Sequence, residues 1–487
     1  MHSSQFCNQL RTCSASLSNL RRALVLVLGL LLTQGCASTA ENGNAGESSD
    51  GAAASVEQHV SDSGHAFWYY SMPDADRTAV AVTWTSELPD ETLMHVATPR
   101  VGIDLMLNGG AGGQAPEDII ADFEDLDSGS RLWVQPREIS GFLVSPEEHM
   151  QRAAEIANQV LTQPNLDEDW FARELKILSD GAKDRETIVA GLAWNLAREM
   201  SLGDHPYKRF WSLRPVDEIS AISLDNVRAW HQQAFSTEGM SVTAAGNATA
   251  KKVGAEIDRV LLGMKAKPTG TQRDFPKPQL PAKTIVLHQP DAPKSVILIM
   301  GNLPPHSAGN DLAVQLGVGV LGHGKQSRLF KTVRSGLRAA YGFGAGQFNM
   351  TRDHKLLHMS GEVETAKLQA ALNETRSAYE KLRTGGVGVV EFPIAKRFYK
   401  QQLVEEFSKP ESVAYLMMEY ERNGLDINQV PGLLAAVGGL SRAEVNRVIR
   451  EAFPVFDSLL KIVVTPDANA IEEACVITDI DDWASCT

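Results

Sequence analysis

Residues 67–85 read FWYYSMPDADRTAVAVTWT, and residues 284–300 read TIVLHQPDAPKSVILIM. Each is an apolar, β-branched or aromatic run, a short link containing Pro-Asp-Ala, and a second apolar run. That is the pattern of strand, turn and strand. Pro73 and Pro290 stand 217 positions apart. A second pair recurs at an offset of 218: SLDNVRAWHQQAF (223–235) and SRAEVNRVIREAF (441–453) carry Ser, Val, Ala and Phe at matching places. Both read as capped helices. Ser441 and Glu444 have capping-box spacing, and Ser223 with Asn226 is a weaker form of it. Each is followed by a strand-like run, MSVTAAGN (240–247) and SLLKIVVTPD (458–467). Two coincidences at nearly one offset mean that the body is one unit used twice.

The rest of each half fits an α+β plan. PEDIIADFEDL (116–126) has helical spacing at Ile119, Ile120, Phe123 and Leu126. RLWVQ (131–135) and GFLVS (141–145) read as strands, and PEEHMQRAAEIANQVL (146–161) as an amphipathic helix that stops before Gln163-Pro164. KAKPTGTQRDFPKPQLPAK (265–283) has four prolines and no periodicity, so it reads as a stiff linker. The expectation is an N-terminal α+β domain over 65–264, the linker, and a second over 284–470, both of ordinary domain size. Residues 471–487 read as an acidic tail.

The chain has 487 residues and a net charge of −14, which argues against nucleic acid or anionic lipid as the main partner. Arg11, Arg21 and Arg22 precede ALVLVLGLLL (23–32), a run too short to span a bilayer well. Gly35-Cys36 then fits lipoprotein processing, with Cys36 lipidated, although Thr33 stands where leucine is usual. Residues 1–35 are thus expected to be a lipoprotein signal. Ala37 favours the outer membrane, on its periplasmic face. Residues 36–64 are small, polar and aperiodic, a flexible tether. Of five cysteines, Cys7 and Cys13 leave with the signal, and Cys475 and Cys486 remain as an even pair for a disulfide in an oxidising compartment. No Gly-x-Ser-x-Gly elbow, phosphate loop or dinucleotide fingerprint is present.

TPRVGIDLMLNGG (98–110) reads as a short buried helix closed by glycines, and QSRLFKTVRSGLRAAYGFGA (326–345) follows a glycine loop. With the duplicated unit, DHPYKRF (204–210) and the Ala-Gly-Asn ending at Asn247, these stretches carry a resemblance. From about 65 to 470 the chain resembles the M16 peptidases, the pitrilysin and insulinase clan, and most of all their short two-domain forms such as the mitochondrial processing peptidase. The resemblance implies two homologous α+β domains in tandem. It also implies a substrate-binding Arg and Tyr on the second domain, which fall on Arg334 and Tyr341.

The family's His-x-x-Glu-His zinc motif falls on Arg100-Val101-Gly102-Ile103-Asp104. The two histidines become Arg100 and Asp104, and the glutamate that activates water becomes Ile103. The third ligand, placed seven residues after Glu174, falls on Gly181. Zinc needs about three converging N, S or O ligands; Arg100 would bring a fixed positive charge to that point, and Ile103 cannot take a proton. The resemblance therefore implies a chain that binds no metal, resembling the non-catalytic subunit of a heterodimer. Zinc would sit in an H-x-x-E-H-bearing partner, and a peptide would be held in a shared chamber.

Two other readings stay open. One is a non-enzymatic envelope lipoprotein that binds peptides or scaffolds a complex. The other is a zinc endopeptidase with a relocated site built from residues such as His95, Asp104, His149 and His205. His205 reads as a turn residue, and His323, in Leu-Gly-His-Gly-Lys-Gln, as a loop residue.

Overall fold

The computed structural model describes residues 55–486 apart from 87–93, 136, 204, 206, 207, 209, 211–218, 268–276 and 352. The signal segment and Cys36 lie outside the described residues, as do the centre of the linker and parts of 204–210.

The first half forms one six-stranded sheet from β1 (Val56–Val60), β2 (Ala66–Ser71), β3 (Thr78–Thr85), β4 (Gly129–Gln135), β5 (Glu138–Ser145) and β6 (Ser241–Gly246). Their spatial order is β1-β2-β6-β3-β5-β4. The second half forms another from β7 (Thr284–His288), β8 (Ser295–Leu303), β9 (Ala340–Thr351), β10 (His354–Val363), β11 (Leu460–Thr465) and β12 (Cys475–Ile477), ordered β12-β7-β11-β8-β10-β9. The two orders superpose strand for strand except at one edge. The strands flanking each Pro-Asp-Ala link are not neighbours. β6 lies between β2 and β3, parallel to the first and antiparallel to the second, and β11 does the same between β7 and β8. The duplicated unit thus extends to topology.

Among the described residues the helices of the first half are α1 (Thr98–Asn108), α2 (Pro116–Asp125), α3 (Met150–Thr162), α4 (Glu168–Thr187), α5 (Val189–Leu202), α6 (Leu224–Ala234) and α7 (Ala250–Val260). Those of the second are α8 (Asp311–Gly322), α9 (Leu368–Gly385), α10 (Glu391–Phe407), α11 (Pro410–Arg422), α12 (Leu433–Gly439) and α13 (Arg442–Ala452). The caps expected from sequence are made: Ser223 and Ser441 each accept a hydrogen bond at 3.1 Å, from the amides of Asn226 and Glu444. The helix expected from 146 begins at Met150, because 147–149 form a turn whose Pro146 carbonyl accepts from the His149 amide. No described helix is long and apolar enough to cross a membrane.

Two boundaries need correction. The expected tether does not run to residue 64: Val56–Val60 is a strand, paired antiparallel with β2, with His59 packed beside Phe67. Nor is the C-terminus a separate tail. β12 adds to β7 in parallel, and Ile480 and Cys486 of the 3-10 turn Ile480–Cys486 are buried. Cys475 and Cys486 are joined, their Cα atoms 5.7 Å apart, and Lys283 donates to the Cys486 carbonyl at 2.6 Å. An edge strand buries few side chains, so polar composition hides it.

The halves are locked by a reciprocal exchange of helices. α5, from the first half, packs Leu192, Leu196 and Met200 on the outer face of the second sheet with Ile285, Leu298 and Ile462. α11, from the second half, packs Val413, Ala414 and Met417 on the first sheet with Ala79, Ala81 and Ala245. They occupy equivalent places in the repeat. Burial of each large apolar side chain here stabilises by roughly 1.5–3 kcal/mol. Polar bonds fix the register: Thr243 donates to the Ala414 carbonyl at 2.9 Å, and Ser241 bonds Glu421. The guanidinium of Arg422 bridges Glu138 of β5 at 2.5 Å and Glu419 at 2.9 Å. Burial opposes its charge, but the two carboxylates outweigh that and raise its pKa.

Candidate functional site

Helix α1 is the one expected to carry a metal motif. It starts at Thr98, whose hydroxyl donates to the His95 carbonyl at 2.7 Å, with Pro99 in its first turn, and it stops at Gly109. Val101, Ile103 and Leu105 are fully buried in the first core. Gly102 is required by contact: a Cβ there would lie 2.2 Å from Cζ3 of Trp230 on α6. Arg100 donates to the Phe210 carbonyl at 3.2 Å. Burial lowers its pKa, with Asp104 opposing. Burial also raises Asp104, to about 6, with Arg100 pulling the other way.

Helix α4 packs against α1, and Glu174 accepts from Asn108 at 3.0 Å. Gly181 lies two turns further along α4 and offers no ligand. The helix pair of a metal site is present and its ligands are not: a fixed cation, an isoleucine, an aspartate electrostatically coupled to that cation, and a glycine. Zinc does not fit this donor set. Among the described residues no group of three or more His, Cys, Asp or Glu side chains is placed to hold a metal ion. Of the histidines considered for a relocated site, His95 Nδ1 accepts from the Ala97 amide at 3.1 Å, His149 precedes the first turn of α3, and the His205 backbone carbonyl accepts from the Lys208 amide.

Between the two halves opens a chamber of about 2280 Å³. That is more than twice the volume usual for a small-molecule pocket. One wall is β4, which among the described residues is an edge strand paired with β5 alone. Ser128 to Gln135 line the chamber, with Arg100 at the same side. The opposite wall comes from α8, α10 and α11. It contains a polar network that sequence reading did not find. Lys355 of β10 is 1% exposed and pairs with Asp311 at the start of α8. Burial lowers its pKa to about 8. Asp311 also takes His306 Nδ1 at 2.5 Å. His306 is lowered to about 4, chiefly by burial and then by Lys355, so it is neutral at pH 7. The signal was the lysine inside the apolar run HKLLHM (354–359). It is a weak one, since a lysine at a strand end is ordinarily solvated.

Arg334 and Tyr341 lie elsewhere. Arg334 sits in a π-helical turn, Phe330–Gly336, and Tyr341 near the start of β9. The Arg334 guanidinium is 4.6 Å from the Phe330 ring centroid and 5.4 Å from that of Tyr341, a cation–π stack. Tyr341 is 87% exposed. With Ser335, Arg338 and Ala340 the pair lines a shallow dish on the outside of the chain, apart from the chamber. Between them Arg338 has φ +51°, a left-handed conformation that a non-glycine residue rarely adopts. His323 caps the end of α8 and packs on Phe398 at 6.0 Å, as a loop residue would.

The fold has counterparts among known proteins. Residues 221–399 match the family model described as Peptidase M16 inactive domain. No curated protein sequence matches. Among solved structures, a peptidase M16 inactive domain from Pseudomonas fluorescens superposes with a TM-score of 0.75 at 16% identity, over 85% of this chain and 98% of that one. A protease from Helicobacter pylori gives 0.73 at 16% identity, over 85% of this chain and 100% of that one. The periplasmic protease PqqL from Escherichia coli gives 0.63 at 13% identity, over 88% of this chain and 50% of that one. The chain therefore has an M16-like peptidase fold of two tandem α+β domains. Its residues 221–399 carry the sequence pattern of the M16 inactive domain.

Proposed function

We propose that the chain is the substrate-binding, non-catalytic member of a pair whose other member is a zinc-bearing M16-like chain. The observation that carries this reading is the position of Arg334 and Tyr341. Stacked on each other outside the chamber, with Tyr341 exposed and Arg334 half-buried, they are placed to reach a second chain and not this chain's own chamber. A π-helical turn and a left-handed Arg338 hold that surface in an uncommon backbone, a cost that a site with a task retains.

Peptide is the substrate class that fits. An extended segment can add to the free edge of β4 through backbone hydrogen bonds, with its side chains in the chamber. Arg334 and Tyr341 would anchor peptide carbonyls beside the partner's zinc, where the partner supplies the attacking water. The envelope location rests on the expected lipoprotein signal of 1–35 and Cys36. The Cys475–Cys486 bond supports an oxidising compartment.

The test is peptide hydrolysis by the reconstituted pair. Arg334→Ala and Tyr341→Phe should each lower kcat/KM at least tenfold while leaving the complex intact on gel filtration. Full activity in both variants would remove the clamp role. A chain that binds peptide with no zinc-bearing partner to pair with would be the scaffold-like alternative, which the internal chamber also supports.

A further inference from the structure

The dish on the outer surface is rimmed by positive charge that this chain does not neutralise. Residues 312–352 contain six Lys or Arg and no Asp or Glu, in a chain whose net charge is −14. Arg334 and Arg338 line the dish with Ser335 and Tyr341, while Lys331, three residues before Arg334, lines the chamber. The segment 331–341 is therefore the wall between the two hollows.

The carboxylates packed round this wall already have cations. Glu391 accepts from Arg328 at 3.0 and 2.7 Å, and Lys331 adds a weaker attraction to it. Glu364 pairs with Lys367 at 2.7 Å. Glu362, opposite the start of β9, lies 4.0 Å from Lys294. Helix α9 packs on the same turn. Its Glu380 is held by Arg383 at 2.9 Å, its Arg376 by Asp457 at 2.8 Å, and its Glu374 and Lys381 cancel in charge. Strand β9 carries no charged residue. Lys331, Arg334 and Arg338 are left in excess.

The two guanidinium groups of the dish have their donors open. Arg334 is half-buried, and the rings of Phe330 and Tyr341 hold it by its face. Among the described residues no hydrogen bond or ion pair reaches its N–H groups. Arg338 is exposed, and its backbone alone is bonded, the carbonyl accepting from Lys367 at 3.0 Å. Stacking on a ring uses none of the five N–H donors of a guanidinium. Those donors form a flat fork that matches the two oxygens of a carboxylate.

We propose that the dish is a carboxylate subsite. It takes a carboxylate of the bound peptide, carried by an acidic side chain or by the peptide's C-terminus. Arg338 and the Ser335 hydroxyl donate to it, together with the open edge of Arg334, and Tyr341 stays on the peptide backbone. The subsite rests on the reading that Arg334 and Tyr341 hold peptide.

The test uses the full chain and labelled ten-residue peptides of one neutral sequence, read by fluorescence anisotropy at low salt. The first has a central Glu and an amidated end, the second a central Gln and an amidated end, and the third a central Gln and a free C-terminal carboxylate. A small probe, the α-amide of N-acetylglutamate, is compared with that of N-acetylglutamine by ligand-observed NMR. The variants are Arg338→Asn and Arg338→Lys. Asparagine tolerates the left-handed backbone at φ +51°, and circular dichroism checks that both fold. The expected result is that the first or the third peptide binds at least about tenfold more tightly than the second, a difference of about 1.4 kcal/mol. Whichever it is names the source of the carboxylate. The preference should shrink as salt is raised, fall several-fold in Arg338→Asn and largely persist in Arg338→Lys. Three peptides that bind alike, or a preference that Arg338→Asn leaves intact, would overturn the subsite and leave peptide binding standing. Binding of the acidic small probe that Arg338→Asn weakens, with no peptide bound, would support the subsite and overturn the peptide reading. Binding of no peptide and no probe would overturn both.

Discussion

Arg422→Met separates the helix exchange from ordinary packing. Arg422 holds Glu138 of the first half and Glu419 of its own helix, with all three side chains less than a fifth exposed. Methionine keeps the volume and removes the charge, leaving two enclosed carboxylates facing each other. Breaking a buried pair in this way costs about 3–5 kcal/mol. The sign with pH follows from the carboxylates. Burial raises Glu138 above its ordinary value, and Arg422 is the main influence restraining that shift. Without Arg422 the folded-state pKa rises further above the unfolded one. The penalty is then full above the folded pKa and disappears as pH falls through it toward the unfolded value. The assay is denaturant unfolding followed by tryptophan fluorescence at pH 7.5 and pH 5. Arg422→Met should lose about 3–5 kcal/mol at pH 7.5 and distinctly less at pH 5. Glu138→Gln in the same chain should recover part of the loss. A loss under about 1 kcal/mol at both pH values, the range of an exposed pair, would refute the claim that this triad locks the halves.

Three further outcomes follow from α1. Gly102→Ala should destabilise by about 1–3 kcal/mol through overpacking against Trp230; a neutral result in thermal melts would mean that α6 yields. Asp104→Asn should stabilise at pH 7.5 by up to about 3 kcal/mol and have little effect at pH 4. The folded pKa of about 6 lies above the unfolded one, so the native carboxyl destabilises once pH exceeds it; denaturation midpoints at the two pH values decide. Replacing Arg100, Ile103, Asp104 and Gly181 with His, Glu, His and Glu should give a chain that retains about one zinc after dialysis, where the native chain retains none. A zinc-free quadruple variant would show that α1 and α4 no longer hold the geometry of a metal site.

The duplication was legible because its marks are local. Pro73 and Pro290 fix the same link, and Ser223 and Ser441 cap the same helix. The insertion of β6 and β11 between the strands flanking those links was not legible, since a parallel neighbour leaves no short-range turn. Nor was the exchange of α5 and α11. Each has an apolar face, and nothing in its sequence says which half supplies the opposing sheet. Val56–Val60 was read as tether because one buried valine at an edge is a faint pattern. The loss of the metal residues could be read directly from Arg100 and Ile103. The wall built from His306, Asp311 and Lys355 could not. It joins a turn, a helix start and a strand across 44 residues from Asp311 to Lys355, and only folding brings those together.

The central claim is that this chain serves a zinc-bearing partner. Purifying the tagged chain from its native cells, then measuring zinc and the stoichiometry of what co-elutes, tests it most directly. The account predicts a second M16-like chain in a one-to-one ratio, carrying His-x-x-Glu-His, with the zinc in that chain. A protein that elutes without such a partner, or one whose zinc stays with this chain after separation, would contradict it.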